Sequence, residues 1–214
     1  VPARVAERYA QARIVALSTG NVYPHSTVAH GGSVESDPLT PLGEYANATV
    51  GRERIFEFYS HRNGTRIALL RLFYAVELRY GVLCDLADKL WAGKPIDLAN
   101  GHFNCIWQGD ANEMVIRSLP LAGSPATTFN LTSAEIVSVR EVAAQLGELL
   151  EKPVKFVGVE NESALIGNIA RLRAQLGNPA MPLDTMLRWT ADWVKRAGRS
   201  LGKPTHFDVR DGRY

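Results

Sequence analysis

The sequence of 214 residues is poor in cysteine: Cys84 and Cys105 are the only two, in unrelated contexts and without a C-x-x-C spacing. That excludes a disulfide framework and leaves reduced thiols, the expectation for a cytoplasmic protein. No apolar run approaches the roughly 20 residues that span a bilayer, and the start does not read as a signal peptide. No sign of charge dominates. The net charge is +2, with basic residues scattered among acidic ones, which argues against a nucleic-acid partner or a membrane surface. Internal repeats and low-complexity segments are lacking. So is an initiating methionine: V-P-A-R-V-A-E-R-Y-A reads as the middle of a helix, with Val1, Val5 and Tyr9 at four-residue spacing. The expectation is a chain whose front half lies outside this sequence.

What is present is an ordinary globular composition, 46% apolar and 21% charged, enough for a real core in one or two domains. R-I-V-A-L-S-T-G is a short apolar run ending in small polar residues, as a buried parallel strand does at its carboxyl end. A long loop rich in Gly, Pro, Ser and His runs from Asn21 to Pro41. Glu44 to Arg62 reads as a helix with an apolar face of Val50, Ile55, Phe56 and Tyr59, stopped by Asn63-Gly64. T-R-I-A-L-L-R-L-F-Y is a second strand-like run. Helices are predicted at Val82–Trp91, Ala111–Leu121 capped by Asp110, Val139–Leu150 capped by Ser138, Ala170–Leu176 and Leu183–Ala197. Strands are predicted at Ile96–Leu98, Phe103–Trp107, T-T-F-N-L-T and V-K-F-V-G-V. The tail from Gly202 is polar and irregular. Strands alternating with helices indicate an α/β domain with a mainly parallel sheet.

The residues able to carry chemistry cluster early. Ser18-Thr19 ends the first strand, Asn21-Val22-Tyr23-Pro24 opens a loop containing Glu35, and Tyr45 opens a helix with Glu53 eight residues on. His25, His30, His102 and His206 have no metal-ligand partner at a recognisable spacing and read as solvated. Trp189 and Trp193, four apart, read as a helix stripe on the core.

The order of these features resembles the extended short-chain dehydrogenase/reductase family, the NAD-dependent epimerases and dehydratases. Their pattern is a strand ending in Ser-Ser or Ser-Thr, then V-Y-G, a loop with Glu and Pro, and a Y-x-x-x-K helix with a later Glu. Leu70-Arg71 with Phe73-Tyr74, Gly93 with Pro95-Ile96, Ile106 to Asp110, Phe129-Asn130-Leu131, Ser138-Val139 and Leu176-Gly177 match further landmarks in order. The resemblance implies a partial Rossmann-type doubly wound parallel sheet with a smaller α/β substrate domain. Residues 1–75 would be the second half of the dinucleotide-binding domain and 76–214 mainly the substrate domain, with 103–131 returning to the sheet.

The resemblance also implies NAD or NADP as cofactor, a small-molecule substrate and a homodimer through the Tyr45 helix. Thr19 would orient the substrate oxygen and Tyr45 would be the acid/base. Ser18, Tyr45, Thr49, Phe73 and Tyr74 would contact cofactor, and Thr19, Asn21, Tyr23, Arg79 and Phe103 substrate. Two elements of the pattern are missing. The G-x-x-G-x-x-G turn that cradles a pyrophosphate does not occur. The lysine that favours a tyrosinate, whose ordinary pKa is near 10, is replaced by Thr49. Arg52, two turns along the same helix face, is a candidate substitute cation, set against the plainer reading of a solvated residue pairing locally with glutamates. Phe103 stands where nucleotide-sugar enzymes often carry a phosphate-gripping Arg, and Tyr74 where the family usually has Asn. Two readings stay open: a divergent oxidoreductase of the epimerase/dehydratase type, acting on a hydroxyl- or carbonyl-bearing compound such as a sugar derivative, or a non-catalytic dinucleotide-binding sensor or scaffold.

Overall fold

The structure, a computed structural model, describes residues 1–213. Helix α1 (Pro2–Arg8) opens the chain, with proline in the first turn where its missing N–H breaks no hydrogen bond. Strand β1 (Arg13–Thr19) leads into the long loop, which holds the short strand β2 (Ser26–Thr27). Helix α2 (Gly43–Asn63) ends at Gly64, whose φ of 69° is the left-handed stop that the Asn63-Gly64 pair predicts. Then come β3 (Arg66–Leu72), β4 (Tyr74–Val76), α3 (Val82–Trp91), β5 (Ile96–Asp97), β6 (His102–Phe103), β7 (Cys105–Trp107) and α4 (Gln108–Arg117). The rest of the chain forms β8 (Thr127–Leu131), β9 (Val137–Ser138), α5 (Val139–Leu150), β10 (Phe156–Val157), β11 (Ser163–Ala164), α6 (Ala170–Leu176) and α7 (Leu183–Lys195).

The protein is a mixed α/β structure built on a parallel sheet of order β1–β3–β8. Thr19 lies opposite Leu72, and Leu72 opposite Leu131, so the three carboxyl ends finish together at one rim. Ile67 to Arg71 are all buried, as expected of a central parallel strand covered on both faces. Short pairs complete the frame: β4 with β7 and β5 with β10 parallel, β2 with β11 and β6 with β9 antiparallel. Of residues 103–131, only β8 joins the central sheet, while β6 and β7 pair with β9 and β4. The largest apolar cluster lies among α3, α5 and α7, away from that sheet. Among the described residues no helix is long and apolar enough to cross a membrane.

Several local expectations need correction. The buried stripe of α2 is Ala46, Thr49, Glu53, Phe56 and Ser60, while Ile55 is exposed. Small and charged residues face inward because the carboxylate of Glu53 is paired inside, which hydrophobic patterning cannot reveal. Helix α4 begins at Gln108, so Asp110 lies within it and accepts a hydrogen bond from the Met181 N–H at 2.7 Å instead of capping. Ser138 does cap α5, accepting from the Glu141 N–H at 3.4 Å. The core stripe of α7 is Met186, Leu187, Thr190 and Ala191, and half-exposed Trp189 meets Trp107 edge-on at 5.6 Å.

Candidate active site

Thr19 and Tyr45 line one open cavity of about 460 Å³ at the carboxyl rim of the sheet. Thr19 ends β1, and its Oγ1 accepts hydrogen bonds from the backbone N–H and the side-chain amide of Asn21, both at 3.3 Å. Those bonds use the oxygen's lone pairs and leave the hydroxyl hydrogen to be donated. Tyr45 stands in the first turn of α2 with half its surface exposed. Leu72, Phe73 and Tyr74 form the floor, and Tyr80 with Gly81, at the start of α3, another wall.

Beneath the floor is a buried polar network. Arg71 donates to Glu53 twice, Nε to Oε1 at 3.0 Å and Nη2 to Oε2 at 2.7 Å. Ser18 donates its hydroxyl to the same carboxylate. Arg71 also donates from Nη1 to the Tyr23 hydroxyl at 2.6 Å, and that hydroxyl donates to Asn130 Oδ1 at 2.9 Å. Asn130 donates from Nδ2 to Ser33 O at 2.7 Å, and its backbone N–H donates to Glu35 Oε1 at 2.8 Å. The long loop is therefore ordered by sheet-end side chains that satisfy its polar groups. Burial pushes the Tyr23 phenol up to about 12, against the opposing pull of Arg71.

The structure brings Ser18, Thr19, Asn21, Tyr45, Phe73 and Tyr74 to the same cavity. Four other expected residues lie elsewhere. Thr49 is 3% exposed and donates its hydroxyl to the Tyr45 carbonyl within the helix, at 2.9 Å, so it points along the core stripe and not at a ribose. Tyr23 is buried, with its hydroxyl held by Arg71 and Asn130. Phe103 is fully buried, ring to ring with Tyr74 at 6.3 Å and Phe207 at 5.6 Å. Arg79 is an exposed residue paired with Glu77 at 3.0 Å. Arg52 is absent from the cavity wall, and its Nε is buried without a hydrogen-bond partner.

Phe73 is wedged between two glycines. A Cβ on Gly20 or on Gly167 would lie 2.5 Å from ring carbons of Phe73, so neither position admits a side chain. Tyr23 stacks on the same ring at 6.2 Å. The floor of the cavity is thus fixed by packing.

The sequence reading missed Tyr80, Thr205 and His206. The last two come from the tail, which folds back to line the cavity. The Leu201 N–H donates to Arg79 O at 3.0 Å, and Thr205 donates its hydroxyl to Asp85. Phe207 inserts into the Tyr74–Phe103 cluster, Lys89 pairs with Asp208 at 2.5 Å, and Arg210 donates to Ala99 O at 3.1 Å and Ser163 O at 2.8 Å. Gly43 is required where the tail crosses α2: its φ is 76°, and a Cβ there would lie 2.0 Å from Gly212 O. Among the described residues no group of three or more His, Cys, Asp or Glu is placed to hold a metal.

No protein-family model matches the sequence, and no curated protein matches it. Solved structures do. A UDP-glucuronic acid 4-epimerase from Bacillus cereus, in complex with NAD, matches with a TM-score of 0.77 at 16% identity, covering 91% of this chain and 65% of its own. A dTDP-glucose 4,6-dehydratase from Bacillus anthracis str. Ames, also with NAD, matches at 0.75 and 16% over the same shares. A UDP-glucose 4-epimerase from Thermus thermophilus, complexed with NAD, matches at 0.74 and 19%, over 91% of this chain and 68% of its own. The fold is that of the extended short-chain dehydrogenases/reductases. The chain spans 65% of the length of the first two of these neighbours. In this fold the rim where β1, β3 and β8 end is the place where an open α/β sheet receives ligands, and the cavity between Thr19 and Tyr45 opens there.

Proposed function

We propose that this chain carries the substrate-facing part of an NAD(P)-dependent oxidoreductase of the epimerase/dehydratase type, acting on a small hydroxyl- or carbonyl-bearing compound such as a sugar derivative. The observation that carries this reading is the meeting of Thr19 and Tyr45 on one cavity at the sheet rim. Ser18, Phe73 and Tyr74 on that cavity suit the nicotinamide end of a dinucleotide, while the Gly-rich turn that would hold its pyrophosphate is not in this sequence. The cofactor, when bound, supplies the acceptor or donor of hydride. Thr19 donates its free hydroxyl hydrogen to the substrate oxygen and orients it. Tyr45 moves the proton at that oxygen. The same reading includes a homodimer through α2, whose exposed Ile55 and Phe58 suit a second copy; light scattering of the purified protein tests it.

The test of activity is turnover with NAD(H) or NADP(H), comparing the unaltered protein with Tyr45→Phe. A fall of at least about tenfold is expected, and unchanged turnover removes Tyr45 from the mechanism. One observation favours the rival reading, a dinucleotide-binding sensor or scaffold: the lysine position is a threonine whose hydroxyl is committed to the helix. Dinucleotide binding with no turnover on any hydroxyl or carbonyl substrate would select that rival.

A further inference from the structure

The amino ends of the central strands form a second rim, opposite the one that holds Thr19 and Tyr45. Three connections meet there: residues 8–13 leading into β1, residues 61–66 leading into β3, and residues 118–126 leading into β8. None of the three contains an aspartate or a glutamate. The first two carry Arg8, Arg13, Arg62 and Arg66, all exposed. Arg13 and Arg66 are direct neighbours across the β1–β3 pair. The Tyr59 hydroxyl ties α2 to Glu7 of α1 at 2.7 Å, and the charge of Arg62 acts on that same phenol. Arg62 therefore belongs to the same surface as the end of α1.

Among the described residues none of these arginines has a carboxylate partner, whereas exposed arginines elsewhere do: Arg54 with Glu57 at 2.8 Å, Arg117 with Glu113 at 3.0 Å and Arg196 with Asp192 at 2.8 Å. A cation in the last turn of α1 or α2 offsets the negative end of its helix, which accounts for Arg8 and Arg62. It does not account for Arg13 beside Arg66, where like charges repel. The guanidiniums are held in place without being neutralised. Arg13 donates from Nη1 to Leu119 O at 3.5 Å, and Arg66 from Nη2 to Gln11 O at 3.3 Å. Arg8 and Arg62 lie over the rings of Tyr9 and Phe58, each at 5.8 Å, and those rings are themselves 51% and 54% exposed.

We propose that this rim docks an acidic segment of another protein, whose carboxylates pair with the guanidiniums of Arg13 and Arg66 while Tyr9 is covered. The surface offers arginine and exposed aromatic rings together, the residue types enriched where proteins meet. Guanidiniums already fixed on one edge lose little freedom on binding and present a planar fork that matches a carboxylate. An acidic segment turns the repulsion between Arg13 and Arg66 into attraction, whereas a second copy meeting this rim with its own would add to it. The proposal is independent of the oxidoreductase reading, since the rim lies at the other end of the strands.

The test is fluorescence anisotropy of a short labelled peptide of alternating glutamate and tyrosine, on the full-length protein, beside a thymidine oligonucleotide and phosphatidylserine vesicles. The peptide should bind, more weakly as salt is raised. The double variant Arg13→Lys, Arg66→Lys keeps both charges and loses both forks, so its peptide affinity should fall about tenfold. Each single lysine variant should show a smaller fall in the same direction. Arg199→Gln, at an exposed arginine after α7, should bind as the unaltered protein does, and equal melting temperatures should accompany all of these surface changes. Full peptide affinity in the double lysine variant overturns the proposal, because attraction by charge alone would then suffice. Failure of the peptide to bind, or tighter binding of the oligonucleotide or the vesicles, overturns it as well.

Discussion

Thr49 donates its hydroxyl to the carbonyl oxygen of Tyr45, 2.9 Å away and one turn earlier in α2. The position from which a lysine would reach toward the tyrosine hydroxyl is occupied by a side chain that bonds back to the helix instead. It lies on the buried stripe, next to the turn that carries Glu53. Thr49→Val should therefore change stability by about 1 kcal/mol or less and, on the proposed oxidoreductase reading, leave the Michaelis constant for the dinucleotide unchanged. A severalfold rise in that constant would mean that the hydroxyl does reach the cofactor.

Arg71 and Glu53 form a buried pair, with side chains 5% and 1% exposed. Arg71→Met strands the carboxylate in the core and should cost about 3–5 kcal/mol in urea denaturation. Adding Glu53→Leu to that variant should recover part of the loss, because no uncompensated charge remains. If the double variant is as unstable as the sum of the two single ones, the two residues do not act as a pair.

Burial pushes the thiols of Cys84 and Cys105 up to about 12, so neither is a thiolate near neutral pH. Ellman's reagent at pH 8 should label neither until denaturant is added. Fast stoichiometric reaction of the native protein would contradict that burial.

Asp85 is raised above its ordinary value of 3.8, chiefly by burial. The native state therefore binds the proton more tightly than the unfolded chain does. The stability this contributes is fully present below about pH 3.8 and is lost as pH rises through the folded value. Asn at this position keeps an oxygen to accept from Thr205 and has no charge to bury. The stability of Asp85→Asn relative to the unaltered protein should thus grow between pH 4 and pH 7, as read from paired denaturation curves. A difference independent of pH would show that the carboxyl is not desolvated.

Much of the architecture was legible from local chemistry. The order of alternating strands and helices, the Asn63-Gly64 stop and the Ser138 cap depend on residues near in sequence, and the structure bears out that order, the stop and the cap, while bounds such as those of α4 shift by several residues. The address of Ser18-Thr19 at a strand end was readable for the same reason. What the sequence could not show was which side of α2 faces inward, because Glu53 becomes a core residue only when Arg71, 18 positions later, is paired with it. The fate of Phe103 and Tyr23 was likewise a matter of distant partners, Phe207 and Asn130. The tail is the clearest case. Its polar, irregular composition carries no periodic signal, yet Phe207, Arg210 and Gly212 each find a long-range contact. By itself the sequence determined the order of elements and the rim that holds Thr19 and Tyr45. Tertiary packing alone decided that His206 would stand beside them, because only the folded chain brings residues 205 and 206 to the cavity that Thr19 and Tyr45 line.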